Sequence, residues 1–202
     1  MTSEPRNIKS ENYYHVYNRA AGKRTIFHDD EDFGFFYSKI REFKAITGVS
    51  IIAFTILYNH FHLLLKEPPL HIRERFKFKG SRQNSISQFL ARLSQSYTRY
   101  YNRKYGNSGI IWEEKFKAKH VDNDEYLSKL VYYINLNAVK HKLVKNINDW
   151  DYTSHHDYVY YMKNKSVIDR DGMIKFSEYK NGMIDYLKNQ KALEEELSIY
   201  IQ

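Results

Sequence analysis

The sequence predicts an α+β protein in which helices pack on one face of an antiparallel sheet. Two observations carry this prediction. Strand-like segments and amphipathic helices follow one another in the order strand, helix, two strands, helix, strand, helix. Between the second and third strand segments stand Tyr58 and Asn59, and Asn tolerates the positive φ that tight hairpin turns need. Strands joined by such a turn pair antiparallel, and antiparallel sheets commonly carry their helices on one side.

Four segments have the composition of β-strands. Residues 13–18 read YYHVYN, residues 50–57 read SIIAFTIL, and residues 60–66 read HFHLLLK. These three are rich in aromatic, β-branched or other apolar side chains. Residues 115–121, KFKAKHV, alternate charged with other side chains. This alternation predicts a fourth strand with one wet, basic face.

Three amphipathic helices are expected around these strands, because apolar side chains recur at helical spacing and capping residues stand at the ends. The first covers residues 30–46, the second begins at Asn84 or Ser85 and closes near Gly106, and the third runs from residues 122–124 to about residue 138. The chain after residue 155 is helical in places.

The segment at residues 71–83, HIRERFKFKGSRQ, carries Lys or Arg at five positions. Two interpretations stay open for it. One is a solvated loop. The other is a short basic hairpin that follows a phosphate backbone, because the basic residues alternate with apolar ones.

Length and composition narrow the class of protein. The 202 residues suit one domain over residues 1–160 with a helical extension over residues 161–202. The net charge of +8 favours a polyanionic partner. The absence of cysteine excludes disulfides and thiolate metal sites. No apolar run reaches the roughly 18 residues that span a bilayer, and the first residues lack an apolar signal core, so we expect a cytoplasmic protein without membrane contact.

Two histidines stand in the most apolar part of the chain, in YNHFHLLL at residues 58–65. Side chains alternate along a strand, so His60 and His62 point to the same face and Phe61 points to the other. The first interpretation is a pair of partly buried, hydrogen-bonded histidines, which His-x-His alone favours. The second is a pair of ligands for one divalent metal ion, which requires a third ligand.

A helical segment supplies candidates for that third ligand, in EYLSKLVYYINLNAVKH at residues 125–141. Tyr133 and Asn137 are four residues apart and lie one turn from each other on the same side. One interpretation is an aromatic helix with a single polar contact. The other makes Asn137 a metal ligand and Tyr133 a nucleophile. Tyr132 is the nearest competitor, but it lies about 100° round the helix.

Both motifs resemble those of a known family. YNHFHLLL is similar to the HUH motif, two histidines around a hydrophobic residue, and YINLNAVKH is similar to the tyrosine helix of single-tyrosine HUH transposases. The resemblance is to the REP-associated tyrosine transposases in particular. It extends to YYHVYNRAAGKRTIFHDDED, SYTRYYNRKYGNSGIIWEEKFK and NDWDYTSHHDY, and it covers roughly residues 11–160 in the family's order.

This resemblance implies a ferredoxin-like or RRM-like sheet and an HUH catalytic domain over residues 1–160. It implies that His60, His62 and Asn137 bind Mg²⁺ or Mn²⁺ and that Tyr133 is the catalytic nucleophile. The implied activity is cleavage and rejoining of single-stranded DNA near hairpins, through a covalent 5′-phosphotyrosine. The family often has proline at the positions of Tyr58 and Ala138. The change at Tyr58 should loosen the turn without moving the ligands, and Ala138 removes a helix stop, so the tyrosine helix is expected to run on by a turn.

Basic residues complete the expectation. The candidates for phosphate contacts are Arg19, Arg99, Arg103, Lys104, Lys115, Lys117 and Lys119. Two alternatives remain beside the strand transferase. One is a non-catalytic hairpin-DNA or RNA-binding protein on the same fold, and the other is a metal-dependent phosphodiesterase that uses water. A monomer and a homodimer are both compatible with the sequence.

Overall fold

The computed structural model describes residues 7–75, 84–113, 115–160, 166–169, 176–189 and 191. Among these residues, four antiparallel strands form one sheet in the order β2-β3-β1-β4. The strands are β1 (Tyr13–Arg19), β2 (Ser50–Leu57), β3 (His60–Lys66) and β4 (Lys117–Val121). With one helical connection after β1 and another after β3, this is the predicted α+β, ferredoxin-like arrangement.

Seven α-helices lie in the described part of the chain, besides two single 3₁₀ turns at Ala21–Lys23 and Ile147–Asp149. They are α1 (Asp30–Thr47), α2 (Leu70–Arg75), α3 (Ser85–Tyr105), α4 (Asp124–Asn135), α5 (Asn137–Lys140), α6 (His155–Tyr160) and α7 (Phe176–Lys188). None of these helices combines the length and the apolar composition that crossing a bilayer requires.

The two long helices have the predicted boundaries because local chemistry sets their ends. The side chain of Asp29 accepts a hydrogen bond from the backbone N–H of Asp32 at the start of α1, and that of Asn84 caps α3 in the same way. Gly48 and Gly106 end these helices with φ values of 69° and 60°. That left-handed conformation is strained for residues with a Cβ, so glycine suits both positions.

Three predicted elements differ in detail. Residues 70–75 form the short helix α2 rather than a loop or hairpin, because Pro69 stands at its start and its carbonyl accepts two backbone N–H groups. The rest of the basic segment, residues 76–83, lies outside the described residues. The fourth strand begins at Lys117, not at residue 115. The third predicted helix ends at Asn135 and resumes as α5 after Leu136.

Helices lie on both faces of the sheet, whereas the sequence predicted them on one face, because α4 packs on the face opposite to α1. Phe36 of α1 packs on Phe61 of β3, with ring centroids 5.3 Å apart, and α3 packs on α1. Because Phe61 and His62 alternate along β3, the histidine face is the opposite one. α4 lies on that second face, over β2 and β3. The tyrosine helix is therefore brought to the same side of the sheet as the two histidines.

The C-terminal helix α7 supports α4 from behind. Tyr132 of α4 packs against Tyr179 and Tyr186 of α7, with ring centroids 5.6 and 5.9 Å apart. Gly182 lies directly against the Tyr132 ring and leaves no room for a Cβ atom. Asn135 at the end of α4 donates a hydrogen bond of 3.2 Å to the Tyr179 hydroxyl. The part of the extension that the structure describes thus contacts the tyrosine helix closely.

Candidate active site

The strand register places the polar side chains of three strands on one face. On β1, Arg19 pairs with His60 of β3, and Tyr17 pairs with His62. Tyr17 also pairs with Lys117 of β4 on its other side. Directly paired residues of antiparallel strands point to the same face, so cationic and imidazole side chains gather there.

A cavity of about 560 Å³ opens at this face, between the sheet and the tyrosine helix. It brings together six of the residues that the sequence singled out: Arg19, His60, His62, Lys115, Lys117 and Tyr133. Residues that the sequence did not single out complete it, among them Tyr17, Glu113, Lys140 and His141. The cavity therefore joins two phenols, three imidazoles and several cations.

Neighbours in the hairpin turn fix the orientation of His60. Its Nδ1 lies 2.6 Å from Asn59 Oδ1, and the Asn59 amide donates to the Lys23 carbonyl at 2.8 Å. The amide oxygen can only accept, so His60 Nδ1 carries the hydrogen and Nε2 keeps its lone pair. Burial, with the nearby His141 and Arg19, lowers the His60 pKa to about 3. His60 Nε2 is buried without a hydrogen-bond partner in the described residues.

His62 is held by a second histidine. Its Nδ1 lies 2.9 Å from Nε2 of His15 on β1, and the two rings stack with centroids 5.1 Å apart. Burial lowers the pKa of both groups, that of His15 to about 3, with a further contribution from Lys119. Both imidazoles are therefore neutral near pH 7, the state in which imidazole nitrogen can bind a metal ion.

The two adjacent tyrosines of α4 point to different surroundings. The Tyr133 ring meets that of His62 with centroids 5.9 Å apart, and the Lys140 ammonium lies 4.8 Å from the Tyr133 ring centroid. Tyr132 instead packs on α7, where burial and the carboxylates of Glu178 and Asp185 raise its pKa. Tyr133 is the one of the two that shares the cavity with the histidines.

Asn137 lies beneath the tyrosine at the start of α5 and is wholly buried. Its side-chain amide donates to the Tyr133 carbonyl at 3.0 Å, and its Oδ1 has no partner in the described residues. Asn137 is not among the residues that line the cavity. Within the described ranges, no group of three or more His, Cys, Asp or Glu has the spacing of a metal site. A metal site here would need an amide oxygen beside the imidazoles.

A second groove of about 520 Å³ adjoins the cavity and shares Glu113 and Lys115 with it. Arg99 of α3 lines this groove, together with Trp112 and with Ile110, which is 77% exposed. Cationic side chains and an exposed apolar side chain thus continue beyond the cavity.

Three other predicted cations lie elsewhere. Arg103 is exposed on α3 and lines neither the cavity nor the groove, and Lys119 lies opposite His15 on β4. The Lys104 ammonium makes ion pairs of 2.8–3.0 Å with the carboxylates Asp29, Glu31 and Asp32. Because Asp32 is wholly buried, this cation serves a structural contact between α3 and α1.

The periodicity of the sequence could have predicted some of the residues near the site that were not singled out. Lys140 and His141 come seven and eight residues after Tyr133, about two helical turns along, so the same helical face leads to them. His15 and Tyr17 share one face of β1 by strand alternation. Their position beside β3 depends on strand pairing, which no local pattern specifies.

The fold and the cavity define a class of protein, an antiparallel ferredoxin-like domain in which a histidine pair on a strand faces a tyrosine on a helix. The chain belongs to the transposase IS200-like family, whose model matches residues 8–137. This match confirms the family that the motifs resemble.

Two relatives agree with this assignment. A Haemophilus influenzae protein described as a REP-associated tyrosine transposase is 32% identical over 108 residues, which are 52% of this chain and 58% of that protein's length. A solved structure of a REP-associated tyrosine transposase bound to a REP hairpin aligns with a TM-score of 0.60 and 19% identity, over 84% of this chain and 95% of that chain. At that identity the structural likeness concerns the fold alone.

Proposed function

We propose that this chain cleaves and rejoins single-stranded DNA, with Tyr133 as the nucleophile and a divalent metal ion held by His60, His62 and Asn137. One observation carries the proposal: Tyr133 and His62 line the same cation-rich cavity, with ring centroids 5.9 Å apart. The family assignment supports the same reaction class, since the matched family is one of transposases.

The donor atoms fit a divalent ion. His60 Nε2 and Asn137 Oδ1 are buried acceptors without a partner in the described residues, and a buried polar atom without a partner is costly. An imidazole pair with one amide oxygen suits Mn²⁺, and Mg²⁺ where phosphate oxygens complete the shell. When bound, such an ion would polarise the scissile phosphate.

The protein's own groups perform the strand transfer. The Tyr133 oxygen attacks phosphorus and gives its proton to solvent, the bond from phosphorus to the 3′ oxygen breaks, and that oxygen takes a proton from solvent, so a covalent 5′-phosphotyrosine and a free 3′-OH result. A later attack by a 3′-OH on that phosphotyrosine restores the phosphodiester. Lys140, close to the Tyr133 ring, would stabilise negative charge at the phosphate during both steps.

The cations that line the cavity and the adjoining groove suggest a path for the DNA strand. Arg19, Lys115 and Lys117 at the cavity would contact phosphates near the cleaved bond. Arg99 and the exposed Ile110 would receive the adjoining nucleotides in the groove, because apolar surfaces take up bases while cations take up phosphates. We retain Arg103 and Lys119 as weaker candidates and leave Lys104 out of the proposed interface.

Hairpin DNA is the substrate form we propose. The net charge of +8 favours a polyanion, and the structural relative is bound to a REP hairpin. The chain covers 58% of the length of the Haemophilus relative. Its preference for hairpin DNA must therefore be measured on this chain itself.

A denaturing gel tests the proposed function. Hairpin-bearing single-stranded DNA incubated with the protein and Mn²⁺ should yield a covalent protein–DNA adduct. Tyr133→Phe should abolish the adduct, whereas the matched variant Tyr132→Phe should keep it, because Tyr132 packs on α7. Cleaved DNA that persists without an adduct in Tyr133→Phe would identify a phosphodiesterase that uses water. Binding without any cleavage would identify a non-catalytic hairpin-binding protein.

A further inference from the structure

We propose that His15 is a positioning residue that sets the tautomer of His62 and thereby makes His62 able to bind the metal ion. This inference rests on the proposed function, because it concerns a ligand of the same site. His15 was not singled out by its sequence context, and it does not line the cavity.

The contact between the two rings is fully internal. His15 is 0% exposed and His62 is 6% exposed. His15 pairs with Leu64 across the sheet while Tyr17 pairs with His62, so the two histidines are diagonal neighbours on adjacent strands. Their nitrogens meet at 2.9 Å, which is the length of a strong N–H···N contact. At this distance one nitrogen must donate and the other must accept, so a single hydrogen atom lies between them.

The position of that hydrogen decides whether His62 can bind a metal ion. If it sits on His62 Nδ1, then His15 Nε2 accepts it, and His62 Nε2 has a lone pair for the cavity. If it sits on His15 Nε2, then His62 Nδ1 accepts it, and His62 Nε2 carries a hydrogen that prevents coordination. Metal binding through Nε2 therefore requires His15 to act as the acceptor.

The arrangement parallels that of His60. There, Asn59 Oδ1 accepts from His60 Nδ1 and leaves Nε2 as the unprotonated nitrogen. A partner that accepts from the ring nitrogen remote from the metal fixes both the tautomer and the ring angle of a ligating histidine. On β3, each of the two histidines thus has its own acceptor, Asn59 for one and His15 for the other.

The side chains around His62 supply a matched comparison. Thr55 of β2 pairs with His62 on its other flank, and the Thr55 hydroxyl is buried without a partner in the described residues. Thr55→Val keeps the shape of that neighbour and removes a hydroxyl that makes no hydrogen bond there. His15→Phe keeps an aromatic ring against His62 and removes the acceptor. His15→Gln keeps an acceptor oxygen.

Titration of the whole protein with Mn²⁺, followed by calorimetry or by electron paramagnetic resonance, tests the inference without any cleavage assay. We expect His15→Phe to weaken Mn²⁺ binding by roughly 10- to 100-fold, the range typical of losing such a partner. His15→Gln should recover part of that loss, and Thr55→Val should bind as wild type does. Mn²⁺ affinity in His15→Phe equal to that of wild type would overturn the inference.

A second measurement covers the case in which His15→Phe does not fold. Long-range ¹H–¹⁵N correlation on the wild-type protein with Zn²⁺ should show His62 with its hydrogen on Nδ1. A hydrogen on His62 Nε2 in the metal-loaded protein would overturn the inference even when Mn²⁺ binds. If wild type binds no Mn²⁺, or binds it equally well as His62→Ala, the proposed metal site fails and the role of His15 fails with it.

Discussion

The ring of Tyr133 meets that of His62 edge-on, with centroids 5.9 Å apart and an interplanar angle of 84°. One residue belongs to α4 and the other to β3 of the same chain, so both halves of the candidate site meet without a second copy. The sheet supplies the imidazoles from one side, and the helix supplies the phenol from above. The predictions that follow depend on this contact between the helix and the sheet.

Removing one imidazole should separate cleavage from DNA binding. We expect His62→Ala to reduce Mn²⁺-dependent cleavage by more than about 100-fold, since a lost ligand should cost more than a lost neighbour of a ligand. Hairpin binding should be largely spared, because Arg19, Lys115 and Lys117 remain. His120→Ala, at an exposed position of β4, is the control and should cleave normally. Unchanged cleavage in His62→Ala would remove this histidine from the proposed metal site.

The residues that line the cavity and the groove predict which cations contact DNA. Arg99→Met and Lys115→Met should each weaken hairpin binding and reduce the slope of log affinity against log salt by about 0.7 to 1, the effect of one lost phosphate contact. Fluorescence anisotropy at several salt concentrations measures both quantities. A slope equal to that of wild type in both variants would count against the groove as part of the strand's path.

Lys104 provides the contrasting case. Lys104→Met should leave the salt slope unchanged and lower the free energy of unfolding by about 2 kcal/mol, since the buried carboxylate of Asp32 loses a charged hydrogen-bond partner. Urea unfolding measures the stability, and the same anisotropy assay measures the slope. A reduced slope with normal stability would restore Lys104 to the DNA interface.

The packing of α7 on α4 predicts an effect of adding one methyl group. Gly182→Ala should destabilise the protein by about 1–3 kcal/mol, the usual cost of overpacking, because the new Cβ would come within 2.6 Å of Tyr132 Cζ. Gly34→Ala is the matched control, since that helical position has open space within 4 Å and alanine is the better helix former. Thermal unfolding compares the two. Equal melting temperatures for both variants would show that α7 does not press on Tyr132.

Buried neutral histidines predict a loss of stability in mild acid. Burial lowers the pKa of His155 from 6.5 to about 4, and it lowers those of His15 and His60 to about 3. At a pH between these folded-state pKa values and 6.5, the histidines bind protons in the unfolded chain and stay neutral in the folded chain. The stabilisation is therefore fully present above pH 6.5 and is lost as the pH falls towards 4 and 3.

His155 allows this loss to be measured away from the proposed metal site. Its share is up to about 3.5 kcal/mol, at about 1.4 kcal/mol for each unit of lowered pKa. Urea unfolding in the presence of a chelator at pH 7.5, 6 and 5 should show a smaller decline in His155→Gln than in wild type. The exposed His120→Gln variant should decline as wild type does. An unaltered decline in His155→Gln would contradict the prediction.

The sequence by itself determined the secondary-structure elements and the direction in which the side chains of the motif residues point. Strand alternation put His60 and His62 on one side of β3, and helical spacing put Asn137 one turn after Tyr133. Capping side chains and left-handed glycines set the ends of α1 and α3. All of these depend on interactions within a few residues along the chain, which a local pattern records.

Only the tertiary structure decided which groups meet. The pairing of β1 with β3 brings His15 into contact with His62, which is 47 positions away in the sequence. The packing of α3 on α1 brings the Lys104 ammonium into contact with carboxylates more than 70 positions away. The docking of α7 covers Tyr132, while Tyr133 lies beside the histidines of β3. Such contacts depend on how whole elements pack, and residues so far apart in the sequence share no period that could announce them.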